Sequence, residues 1–77
     1  MFNLKNIQFE IDSVRNCRIS GKEELETFRE KYLSKSGILP EIYYSISFTR
    51  GDATQYYLKK MMELRRAVDE IIRNSIL

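Results

Sequence analysis

The side chains that most often do chemistry are scarce in this sequence, and those present do not converge. Cys17 is the only cysteine among 77 residues, and there is no histidine. A single thiol cannot close an intramolecular disulfide. Without imidazole, neither a Cys/His zinc site nor a Ser–His or Cys–His nucleophile can be assembled. Cys17 ends an apolar stripe and reads as a small core residue. Glu23, Glu24, Glu26 and Glu30 are spread along one segment among lysines and arginines, which is no arrangement for paired acid–base catalysis. The three glycines are too far apart to cradle a phosphate. No catalytic residue, metal site or cofactor is therefore expected. What remains is aromatic and basic. Tyr43, Tyr44 and Tyr56, in a stretch with Arg50, Lys59 and Lys60, could stack on bases or simply cap a core, whereas Tyr32 and Tyr57 belong to core stripes. Thirteen lysines and arginines against eleven acids leave a net charge of +2 with the signs interleaved, too little to indicate nucleic acid by itself.

These side chains must be held by about four segments, separated at Gly21, at Gly37 with Pro40, and at Gly51. The first is ambiguous. Leu4, Ile7, Ile11 and Val14 draw a helical stripe, while Ile7, Phe9 and Ile11 also alternate as a half-buried strand would. The second reads as a helix. Ser20-Gly21-Lys22-Glu23 forms a capping box, Leu25, Phe28 and Tyr32 share a face, and Gly37 is expected as a left-handed cap. In the third, Ile38, Ile42 and Ile46 give helical spacing, with Pro40 at the first helical position, but Tyr44, Ile46 and Phe48 alternate. The fourth opens with a second box-like run, Asp52-Ala53-Thr54-Gln55. It carries a heptad-like seam, Tyr57, Met61, Leu64, Val68 and Ile71, widened by Leu58, Ile72 and Ile76. At 1.5 Å per residue this helix would be roughly 35 Å long and form the spine of the domain. The amino terminus lacks the apolar stretch of a signal peptide, and no run of residues is apolar enough to span a membrane. The expectation is a cytoplasmic protein without membrane contact.

The run from Phe28 to Gly37 resembles a signature of the amino-terminal domain of the bacterial phenylalanine–tRNA ligase α subunit. There a helix ends in Arg-x-Lys-Tyr-Leu-Gly-Lys-Lys-Gly and a short apolar helix follows. Arg29, Lys31, Tyr32, Leu33, Lys35 and Gly37 match, and Ser34 and Ser36 replace a Gly and a Lys. The long helix of that family carries Gly-x-x-Ile-Asn-x-x-Lys, which falls on Leu58, Met61, Met62 and Arg65 and keeps only the apolar and basic positions. The resemblance implies a coiled-coil arm that contacts tRNA, with Arg29, Lys31, Lys35 and Arg65 as the candidate nucleic-acid-binding residues. The class II catalytic motifs of the ligase are not in this sequence, so the chain is not expected to aminoacylate by itself.

Together with the periodicities, the resemblance favours an all-α fold over residues 1–77: an antiparallel helical hairpin or coiled coil with short additional helices. The helices are expected at about 3–17, 21–35, 39–47 and 53–75, with the Leu25–Phe28–Tyr32 stripe packed on the long seam. The alternative is a small α+β domain with strands near 6–12 and 42–49. The corresponding functional alternative is a helical protein-interaction module, an adaptor or inhibitor, whose seam would permit a homodimer.

Overall fold

The computed structural model describes residues 2–76. Met1, Leu77 and the side chain of Ile76, which the spacing adds to the apolar face, lie outside the described residues. A 3-10 turn, Leu4–Asn6, leads into α1 (Ile7–Arg15). Then follow α2 (Lys22–Leu33), α3 (Ile38–Ile46) and α4 (Asp52–Ile76), with no strand among the described residues.

Helical periodicity wins in both ambiguous segments, and burial shows why. Ile7, Ile11 and Val14 are buried along one side of α1, whereas Phe9, which a strand would have placed beside Ile7 and Ile11, is 71% exposed. Likewise Ile42 and Ile46 are buried in α3, while Tyr44 and Phe48 point outward, 58% and 62% exposed. Alternation would have turned Val14 away from Ile7 and Ile11 in the first segment, and in the third would have buried Tyr44 and Phe48 beside Ile42 and Ile46.

The 25 residues of α4 span ~37 Å at 1.5 Å per residue, nearly the whole 41 Å long axis of the molecule. Leu64 and Val68 of the seam are completely buried, joined by Ala67, with Tyr57, Met61 and Ile71 packed partly against them. The seam is covered differently from expectation. Its most extensive partner is α1, with α3 next, and α2 meets α4 over a shorter stretch while packing mainly on α3. Phe28 and Tyr32 of α2 still join Leu64 and Val68 in one core.

Side-chain contacts give the directions. Lys60 donates to the Gln8 amide oxygen at 2.6 Å, and residues 15–19 border a cleft with Ile71, Asn74 and Ser75, so α1 runs in the same direction as α4. The start of α3 faces Met61 and Arg65, while the Thr49 hydroxyl just beyond its end lies 2.7 Å from that of Thr54 at the start of α4. α3 and α4 are thus the antiparallel hairpin, turned through Gly51 at φ +64°. The seam is thus covered within the chain.

Several local expectations change. Ser20 does not cap α2. Gly21 occupies the N-cap position, and Glu24, not Glu23, reaches back to accept from the Ser20 N–H at 3.0 Å and its hydroxyl at 3.2 Å. Asp52 is already inside α4, where its charge suits the positive end of the helix dipole. Pro40 is the third residue of α3, another position whose N–H has no helical partner. Glu63 lies 3.9 Å from Arg15 of α1 and 3.8 Å from Lys60.

Gly37 is the most informative correction. Its φ is −78°, so it is no left-handed cap. A Cβ there would lie 2.9 Å from the Tyr32 carbonyl carbon and 3.0 Å from the Lys31 and Ser34 carbonyl oxygens. Glycine is needed because the start of α3 presses against the backbone that ends α2. Gly37→Ala is expected to lower unfolding free energy by about 1–3 kcal/mol, the usual scale of overpacking. Gly21→Ser, placed in open space at an extended N-cap, should raise it by a few tenths of a kcal/mol. Urea denaturation of the two variants beside the parent chain measures both.

Candidate nucleic-acid interface at the α2–α3 turn

The turn that α3 presses upon is tightly specified. The Ser34 hydroxyl donates to the Glu30 carbonyl oxygen at 2.6 Å, satisfying one of the acceptors left over at the end of α2. The Gly37 N–H donates to the Ser34 carbonyl at 2.9 Å, and the Glu41 N–H donates to the Gly37 carbonyl at 3.2 Å to begin α3. The position at which the resembling signature carries glycine is therefore filled by a serine that closes the turn with its own side chain.

Tyr32 anchors this turn from below. It is buried against Phe28, with ring centroids 4.9 Å apart, and its hydroxyl donates to the Glu10 carboxylate of α1 at 2.7 Å. Burial first, then the hydrogen bond and the negative charge of Glu10, push the phenol well above the ordinary tyrosine range. All three favour the neutral, proton-donating form.

Two of the four sequence-derived candidates are brought together on top of the turn. Exposed Lys35 borders a shallow depression with Pro40, Glu41 and Tyr44. Arg65, thirty residues along the chain, borders a groove of about 360 Å³ with Leu33, Leu39, Pro40, Tyr43 and Met61. Lys35 and Arg65 thus flank Pro40 from opposite sides, with exposed Tyr43 and Tyr44 on the same helix. The other two candidates sit elsewhere. Lys31 lines a separate cleft with Cys17, Arg18, Thr27 and Phe28, its ammonium 5.3 Å from the Tyr32 ring centroid. Arg29 is exposed on α2, one turn before Leu33.

The exposed aromatics are real. Tyr43, Tyr44 and Tyr56 are each more than half exposed, and Tyr44 meets Phe48 edge-on at 5.1 Å. Tyr56 has Lys60 as its neighbouring cation at 5.8 Å, but that ammonium is tied to Gln8 and Glu63 on the α1 side. Met61 packs partly into the core, while Met62 is 59% exposed. Leu33, Leu39 and Met61 were not legible as groove residues, because their meeting depends on how α2, α3 and α4 cross.

Among the described residues no three acids or cysteines gather where they could hold a metal ion, and no helix is long and apolar enough to cross a membrane. Compared with protein-family models, curated proteins and solved structures, the chain matches none of them.

Replacing Tyr32 by Phe removes the donor to Glu10 and should cost about 1.5–3 kcal/mol of stability, the range for a hydrogen bond to a charged group. An acid whose folded value is raised contributes stability that is complete below its ordinary value and lost above it. The parent chain should therefore lose this contribution as pH rises past 10.0, the ordinary tyrosine value. In Tyr32→Phe the alkaline loss should be shallower, measured by denaturation between neutral and alkaline pH.

Proposed function

We propose that this chain is a helical RNA-contacting domain that does no chemistry itself, of the kind its resemblance to the tRNA-binding arm of phenylalanine–tRNA ligase implies. One observation carries the reading. Lys35 and Arg65 are distant in sequence, and both fall on positions matched to the family's motifs. They flank Pro40 beside the middle of α4, with two exposed tyrosines beside them. Cations at that spacing suit the phosphates of a folded RNA, and exposed aromatic faces suit its unpaired bases. The small net charge of +2 fits contact at one limited patch, acting as an accessory to a separate catalytic body. A cytoplasmic location goes with this role.

A second reading draws on residues the first does not use. Phe9, Phe48 and Met62 are largely exposed without being part of the Lys35–Arg65 patch. Exposed aromatics and methionine favour protein interfaces, so an adaptor or inhibitor, alone or as a dimer, is the alternative. Sedimentation at several concentrations reports a dimer directly.

The test of the RNA reading is titration of labelled tRNA at two salt concentrations. Binding should weaken steeply with salt, since neutralised phosphates release counterions. Lys35→Gln and Arg65→Gln should each weaken binding and lower the salt slope by about one. Arg18→Gln, in the separate cleft beside Ile71, Asn74 and Ser75, should leave both unchanged. No binding at low salt would refute the proposal.

A further inference from the structure

We infer that the groove between Leu33, Leu39, Pro40, Tyr43 and Met61 receives an unpaired nucleobase of single-stranded RNA, with Arg65 at its lip holding the adjoining phosphate. This rests on the RNA reading above and specifies the form of RNA recognised. The groove's volume of about 360 Å³ lies within the ~300–1,000 Å³ typical of small-molecule sites. Its lining is apolar apart from Arg65 and the Tyr43 hydroxyl, which suits the flat face of a base. Tyr43 is 63% exposed, so its ring is open to a stacking partner.

Charge argues for a nucleotide over an uncharged apolar ligand. Among the described residues the ion pairs are those of Glu63 with Arg15 and Lys60, which leaves Arg65 and Lys35 available to phosphates. Glu41 is the acid bordering this surface, and it lies on the Lys35 side of Pro40, outside the groove. A strand laid across Pro40 would meet a cation on each side and an aromatic ring between them. Bases within a duplex are stacked and paired and cannot enter such a groove, whereas bases of loops and single strands can.

The experiment compares a labelled single-stranded oligoribonucleotide of about twelve nucleotides, within the usual range of single-strand site sizes, with the same strand annealed to its complement. Both are titrated by fluorescence anisotropy against the full chain, Tyr43→Ala, Tyr43→Phe and Arg65→Gln. Circular dichroism checks that each variant is folded; Tyr43 is largely outside the core, so its replacement spares the packing. The single strand should bind more tightly than the duplex. Tyr43→Ala should lose about five-fold or more of that affinity, the lower end of measured base–aromatic stacking, and Tyr43→Phe should keep it. Equal binding of the duplex, or unchanged binding by Tyr43→Ala while Arg65→Gln weakens it, would overturn the groove assignment and leave the RNA reading standing. Absence of binding to both the oligonucleotide and tRNA would overturn both. A dimer that dissociates in Tyr43→Ala, with no RNA bound, would give the groove to a second copy of the chain and overturn the inference.

Discussion

Everything in this fold depends on covering one side of a single long helix. α4 presents Leu64, Ala67 and Val68 along one face, flanked by Tyr57, Met61 and Ile71, and no helix can bury its own stripe. The helices that do so are short: α1 and α3 have nine residues each and α2 has twelve. Isolated helices of that length are marginal in water. Each is therefore helical because it packs: Ile7, Ile11 and Val14 from one side, Ile42 and Ile46 from another, Phe28 and Tyr32 at the junction. The few polar contacts across the core make the arrangement specific. The Ser45 hydroxyl donates to the Phe2 carbonyl at 3.0 Å, and Tyr32 to Glu10. Among the described residues no buried side-chain polar atom lacks a partner.

That constraint also shapes the surface. Short helices laid along a long one make a thin body, with 20 and 16 Å for the two smaller dimensions. Its surface of 5927 Å² for 9.2 kDa exceeds the ~4,900 Å² expected of a compact monomer of that mass. Aromatics that a rounder molecule would enclose stay outside here. Tyr43 and Tyr44 lie on the outer face of α3, with Phe48 just beyond its end, because Leu39, Ile42 and Ile46 already fill its inner face. The proposed contact surface follows from the same geometry, since α3 must press close to the end of α2 to reach the seam. This approach excludes a side chain at Gly37 and brings Arg65 beside Pro40.

Much of this was legible in the sequence wherever one side chain's burial decided the matter. The uninterrupted seam of α4 sufficed for the spine, whereas the spacing of Ile7, Ile11 and Val14, and of Ile38, Ile42 and Ile46, allowed a helix without excluding a strand, and the resemblance tipped both to helix. Less was legible where tertiary geometry decided. Gly37 was expected to supply a left-handed turn because glycines after helices often do, yet the structure uses it for lack of room. The carboxylate serving Ser20 is one residue along because the helix begins one residue later than the box pattern supposed. α2 was expected to cover the seam because its own stripe is well marked, but α1 and α3 reach the seam first. Of the four basic candidates, sequence alone could not separate Lys31, on the face of α2 toward Cys17, from Lys35, at the turn. Pro40 became the centre of the surface only once α3 and α4 were in place.

Whether the α2–α3 turn and the adjoining flank of α4 form an RNA-contacting surface is decided by following backbone amide resonances as tRNA is added. Perturbations should concentrate in residues 33–44 and 58–66, with the α1–α2 junction at 15–19 and its neighbours at 71–75 nearly unmoved. Shifts centred on that junction, or no shifts at any point of the titration, would contradict it.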